Sequence, residues 1–281
     1  MRRRRHRRKF PSRCDTLGDV SQDYEYRGMI AAAWDLLRGD YSAWPDRAFY
    51  REIIERDGKP ALDVGCGTGR LVLDYVAAGL DVDGVDVSPE MLALCRAKAR
   101  DMGIEAAIHE QRMEALELPR RYRTIFVPSS SFQLLTSETD ARAALARFFA
   151  HLLPGGLLVM PFMMLWRGEP PEDGAWSKWY VAGQRERPED RALVRRWQRA
   201  KYDTAAQLEH TEDRYEVLAG DEIIETEEHR RSPAARWYTQ AQAAALYADA
   251  GFVDVRVTEG FTHEPATADA RVFTVFGHRP A

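Results

Sequence analysis

Three glycines in the stretch Leu62-Asp63-Val64-Gly65-Cys66-Gly67-Thr68-Gly69-Arg70 stand two residues apart, between an apolar run and a helix-like pattern. Bare backbone at that density suits a ligand that comes too close to the main chain for side chains and is met by N–H groups at a helix N-terminus. The spacing differs from the dinucleotide pattern GxGxxG, whose third glycine comes one residue later. Asp63 also precedes the loop, where a diphosphate would be repelled. A carboxylate there suits an ammonium or sulfonium group. Asp86 closes the next apolar run, where it can accept hydrogen bonds from both hydroxyls of a ribose. Together these residues ask for a nucleoside that carries positive charge and no phosphates.

Residues with these roles have to sit at the carboxyl ends of strands, and the flanking sequence supplies such strands. Residues 60–64 read as a strand, 69–79 as a helix ended by Gly79, 82–87 as a strand and 88–103 as a helix. Ser88 is a natural N-cap, with Pro89 at the first helical position, where its missing N–H costs nothing. Further strands are expected at 105–109, 123–128 and 156–162, with a helix from Glu138 to Leu153 capped by Ser137 and stopped by Pro154-Gly155-Gly156. Ahead of them, 29–40 and 46–58 have helical apolar spacing, closed by Gly39 and Gly58. Strands alternating with helices imply a parallel sheet covered on both faces, a doubly wound α/β fold with its ligand beyond the carboxyl ends of the strands.

The alternation stops between Trp166 and Trp237, a span that holds five of the seven tryptophans. Residues 206–218 and 222–231 read as antiparallel strands around an Ala219-Gly220-Asp221 turn. The pattern resumes with a helix at 239–251 and strands at 252–261 and 271–279. The expectation is therefore one domain, 21–281, carrying an antiparallel β insertion (166–237) before the last helix, placed as a lid over the active site. A homodimer through the insertion is a further expectation.

Seven of the first nine residues are basic, so with a net charge of −4 the remainder carries −11. An acidic body argues against a groove for duplex nucleic acid, which needs a basic face. Residues 1–20 read as a disordered basic arm. A nucleic-acid or membrane-surface tail and a targeting signal are the other readings, although no apolar core of a signal peptide follows. No apolar run approaches the length of a membrane span; the longest is broken by Pro161. Cys14, Cys66 and Cys95 have neither disulfide-framework nor metal-ligand spacing, which fits a cytoplasmic setting without a metal.

The motifs "LDVGCGTGR", "GVDVSPEML" and "LLPGGLLV" resemble those of the class I S-adenosylmethionine-dependent methyltransferases, over Tyr24 to Phe162 and the last two strands. The resemblance implies a Rossmann-like seven-stranded sheet with helices on both faces. It also implies a cofactor site: Asp63, Gly65, Gly67 and Gly69 at the methionine moiety, and Asp86 at the ribose. Val87, Met91, Arg112 and Met113 would lie about the adenine, with Pro128 beyond the fourth strand. The segment "SQDYEYRGMIAAAWDLLRGD" is similar to the start of glycine N-methyltransferase-like small-molecule enzymes, which implies that Tyr24 reaches the cofactor's carboxylate.

Methyl transfer from a sulfonium is an in-line displacement needing alignment and exclusion of water more than a dedicated catalytic side chain. The acceptor is expected at "PSSSFQLL", where the relatives carry Asn-Ser-Phe and this chain has Ser130, Ser131 and Phe132. Arg236 and Tyr238, where the insertion returns to the helix, are further candidates for acceptor contacts. His210, His229 and His263 are candidate bases, and Trp176, Trp179, Trp197 and Trp237 a candidate box for a cationic amine. The expected activity is transfer to a small-molecule amine or hydroxyl. A protein or RNA methyltransferase recruited through the basic arm, and a non-catalytic cofactor-binding scaffold, are the alternatives.

Overall fold

The computed structural model describes residues 24–166 and 172–281. The basic arm and Cys14 lie outside the described residues. The chain enters through α1 (Met29–Ala32), α2 (Trp34–Arg38) and α3 (Pro45–Asp57). The continuous helix expected over 29–40 is broken at Ala33, although Ala33 N–H still reaches Met29 O and Leu37 N–H reaches Ala33 O. The break lets the two halves face different neighbours: Met29, Ile30 and Ala33 pack on the insertion, while Trp34 and Arg38 face the cleft described below.

From there the expected alternation follows: β1 (Ala61–Val64), α4 (Val72–Ala77), β2 (Val82–Asp86), α5 (Pro89–Asp101), β3 (Ile108–Glu110), β4 (Tyr122–Phe126), α6 (Glu138–His151) and β5 (Leu152–Met163). The insertion contributes β6 (Tyr180–Glu186), β7 (Leu193–Asp203), β8 (Leu208–Ala219) and β9 (Glu222–Arg236). It is followed by α7 (Gln240–Asp249), β10 (Val253–Glu259) and β11 (Val272–His278). Ser88 and Ser137 cap α5 and α6 as expected, and Thr239 with Gln242 closes a capping box on α7.

Seven strands form one sheet in the order β10-β11-β5-β4-β1-β2-β3. β1 to β5 are parallel, but β11 runs antiparallel to both β5 and β10, so the sheet is mixed where periodicity alone implied a parallel one. A strand without a helix between it and its predecessor has to return antiparallel, and β11 follows β10 in that way. One face buries Phe49, Tyr50, Ile53 and Tyr75 around Phe126; the other buries Phe132, Phe148, Phe162 and Tyr247. Tyr50 and Phe126 rings lie 5.0 Å apart, with Tyr75 at 6.0 Å from Phe126, which seats α3 and α4 on the sheet. The insertion strands form a second sheet, β6-β7-β8-β9, antiparallel throughout.

Candidate active site

The three central strands β1, β2 and β4 end together, and a cleft opens over their carboxyl ends. The glycine loop begins where β1 stops: Gly65 and Cys66 N–H both donate to Val85 O, at 2.8 and 3.0 Å. Gly65 has a φ of 76°, and a Cβ there would lie 2.8 Å from Ser131 Oγ. The bare backbone is needed because the acceptor loop crosses it. Gly69 has another reason: its Cβ would lie 2.7 Å from Cys95 Sγ and from Leu73. It serves the packing of α4 on α5 and does not line the cleft.

Asp63 is buried (1% exposed), and neither carboxylate oxygen has a well-formed hydrogen bond among the described residues. Burial pushes its pKa up to about 7, against the opposing pull of Arg70 and of the Val72 backbone N–H. Arg70 itself is held by Asp46 at 2.9 and 2.5 Å, so its charge is spent. Arg38 is the complementary case. Its guanidinium stacks 3.9 Å over Trp34 and lines the cleft. Burial, with Arg70 and Arg196 adding to it, lowers its pKa. The acid acting on it, Asp35, is already taken by Lys98 and Thr68, each at 2.7 Å.

An unspent carboxylate and an unspent guanidinium beside one loop complement an α-amino acid, the first for its ammonium and the second for its carboxylate. Asp86 adds the neighbouring requirement. Its two oxygens accept N–H bonds from Gly67 and Ser88, both at 2.9 Å, which aim the carboxylate while leaving lone pairs for a diol. Burial raises its pKa, with those N–H bonds pulling the other way. Val87, Met91 and Met113 give the next stretch of the cleft an apolar wall. These residues fit S-adenosylmethionine: Asp63 and Arg38 would hold its amino acid, Asp86 its ribose, and the two methionines would flank its adenine.

Among the expected cofactor residues, Tyr24, Asp63, Gly65, Gly67, Asp86, Val87, Met91, Met113 and Pro128 line the cleft; Gly69 and Arg112 do not. Arg112 stacks on Tyr24 at 4.5 Å and pairs with Glu114 at 2.5 Å. Tyr24 donates to Glu114 Oε2 at 2.7 Å and accepts from Met113 N–H. Its hydroxyl is therefore committed at the adenine end, and burial with that bond raises its pKa. Arg38 lines the same cleft as Tyr24. Sequence reasoning missed it because a basic residue ahead of a closing glycine reads as ordinary helix-end chemistry.

At the acceptor end Ser130 lines the cleft beside Pro128, Ser129, Ser131 and Leu134. Ser129 has a φ of 58°, and Ser131 Oγ donates to Pro128 O at 3.0 Å. Phe132 points the other way, into the core against Phe162 and Tyr238. Arg236 donates to Thr136 O at 2.9 Å and, with Tyr238, edges a separate shallow pocket between α6 and α7. Neither reaches the cofactor cleft. The candidate bases are also elsewhere: His210 contacts Ser232, His229 contacts Glu227, and His263 contacts Glu52. Trp176 and Trp179 carry Arg199, Trp197 donates to Glu216, and Trp237 packs on Trp166, so the four form no box at the cleft.

The family described as "Methyltransferase domain" matches residues 61–156. The chain is 33% identical over 164 residues to demethylmenaquinone methyltransferase of Thermus thermophilus, covering 54% of this chain and 68% of that one. It is 32% identical over 143 residues to dTDP-3-amino-3,6-dideoxy-alpha-D-glucopyranose N,N-dimethyltransferase of Streptomyces fradiae, covering 48% and 54%. Among solved structures, an amino pentose methyltransferase of Micromonospora echinaspora with SAM bound superposes with a TM-score of 0.63 at 26% identity, over 90% of this chain and 98% of that one. The chain belongs to the S-adenosylmethionine-dependent methyltransferases. It spans about half the length of the first curated relatives it matches.

Proposed function

We propose that this protein transfers a methyl group from S-adenosylmethionine to the amino group of a small polar acceptor, with an amino sugar as the favoured class. The observation that carries the reading is the pair of unspent charges, Asp63 and Arg38, flanking the glycine loop one strand from Asp86. Bound there, the cofactor supplies a methyl group already activated by its sulfonium. The chain's part is to hold the amino acid end by charge and the ribose by Asp86, and to close the apolar wall around the rest. Nitrogen is favoured over oxygen because no histidine or glutamate lines the cleft among the described residues, and its two carboxylates, Asp63 and Asp86, are assigned to the cofactor. A neutral amine brings its own lone pair, whereas a hydroxyl needs a base. Two of the similar proteins bear names of enzymes acting on amino sugars, which supports that acceptor class.

The insertion acts as the outer support of the leading segment rather than as a direct wall. Met29, Ile30 and Ala33 pack on Ala192, Val194, Tyr215 and Val217, and none of residues 172–237 lines the cleft. Exposed Tyr180 and Val181 on β6 and Ile223 and Ile224 on β9 sit on the two edge strands of that sheet and support a homodimer there. Among the described residues no helix is long and apolar enough to cross a membrane, and Cys66 and Cys95 are free thiols, which supports a cytoplasmic setting. The test is calorimetric titration with S-adenosylmethionine, followed by product assay against amino sugars, amino acids and simple alcohols. Micromolar cofactor binding with methylation of an amine is expected; absent cofactor binding, or turnover of alcohols alone, would overturn the reading.

A further inference from the structure

The inner face of the insertion sheet holds three neighbouring polar side chains with unspent hydrogen-bonding capacity. Thr211 and Asp213, two apart on β8 and therefore on one face, are 2% and 1% exposed. Thr211 Oγ1 and Asp213 Oδ2 have no hydrogen-bond partner among the described residues. Arg231, the β9 residue paired with Thr211, leaves Nε and Nη1 without one as well. Asp213 Oδ1 is occupied, by Arg196 at 2.8 Å and Gln198 at 3.2 Å, which fixes the carboxylate and turns Oδ2 away from both. Buried polar groups are ordinarily paired, so three unspent neighbours on one face mark a place prepared for something polar.

The place adjoins the cofactor cleft through a single ring. Arg231 Cζ lies 5.2 Å from the ring of Tyr26, and Tyr26 lines the cleft. The backbone of Tyr26 is pinned, its carbonyl accepting from Ser88 Oγ at 2.6 Å, whereas its ring leans on Trp34 at 4.9 Å. The Tyr26 side chain also hydrogen-bonds Arg231, so its ring stands between the cleft and the three polar groups.

The chemistry of the three groups selects what fits. An anion would meet Asp213 Oδ2, and a cation would meet Arg231. A hydroxyl can donate to the carboxylate and accept from the guanidinium at once, and a vicinal pair satisfies all three groups. We propose that Thr211, Asp213 and Arg231 form the subsite that holds neighbouring hydroxyls of the methyl acceptor, uncovered when the Tyr26 ring turns aside. This rests on the methyl-transfer reading and supplies the contact by which the acceptor's amine is brought to the Ser129–Ser131 loop.

The test uses the full-length protein saturated with S-adenosylhomocysteine, titrated by calorimetry with glucosamine and with cyclohexylamine as its hydroxyl-free counterpart. Saturable millimolar binding of glucosamine, about tenfold tighter than cyclohexylamine, is expected. Thr211→Val removes a hydroxyl that has no partner in the free protein, so it should fold at least as stably as the wild type yet lose that preference. Arg231→Met should lose it too, with S-adenosylhomocysteine affinity unchanged in both. Glucosamine binding that survives Thr211→Val and Arg231→Met would overturn the subsite and leave bound water as the partner of these groups. So would absence of glucosamine binding in a protein that takes up S-adenosylhomocysteine. Failure to bind S-adenosylhomocysteine itself would instead overturn the cofactor reading, and the subsite with it.

Discussion

Asp63 is the residue at which stability and binding pull against each other. Its carboxyl is buried without well-formed bonds, and its pKa of about 7 lies above the ordinary carboxylate range. A carboxyl pKa raised on folding favours the folded state below about pH 4, and that contribution is lost as pH rises to 7. The charged form becomes useful only when an ammonium sits beside it. Cofactor binding should therefore release a proton on the acid side, with affinity rising about tenfold per pH unit towards pH 7 and flat above it. Calorimetry between about pH 5 and pH 8, in buffers of different ionisation heat, measures this, and Asp63→Asn should flatten the profile. Arg38→Met should weaken cofactor binding by about 10- to 100-fold, the worth of a charge-assisted hydrogen bond, with the melting temperature unchanged or raised. Unchanged affinity would return the carboxylate to another partner.

The leading segment is the element on which the cleft depends, and it is held from several sides. Gly28 N–H donates to Glu90 at 2.7 Å and Met29 N–H to Glu227 at 3.2 Å, so α5 and β9 both clasp the start of α1. Ser88 serves twice: its Oγ accepts from Met91 N–H as the cap of α5 and donates to Tyr26 O. Ser88→Ala should cost about 1–2 kcal/mol in urea denaturation, more than a cap alone, and should weaken cofactor binding by loosening Tyr24 to Arg38. The caps at Ser88 and Ser137 were legible from sequence because a serine cap acts on its own helix within three residues. The break at Ala33 was not. It separates contacts with the insertion from contacts with the cleft, and both partners are distant in the chain.

On the scale of the whole molecule, charge is divided between a basic arm and an acidic body. If the acceptor is small, removal of residues 1–20 should leave kcat/KM within about twofold of the full chain at low salt. A large loss would favour a polymeric acceptor recruited by the arm. The alternation of strands and helices, the glycine loop and Asp86 were all readable, because each is fixed by periodicity or by spacing within about 25 residues. The resemblance to methyltransferases also implied Ser130 and Pro128, and both line the cleft. Tertiary structure alone decided that β11 pairs antiparallel with β5, that Arg236 and Tyr238 face a different pocket, and that Arg38 shares the cleft with Asp63. The physical reason is common to all three. A strand's partner, a side chain's cavity and a buried charge's counterion are set by neighbours brought close only when the chain folds, and local sequence does not encode them.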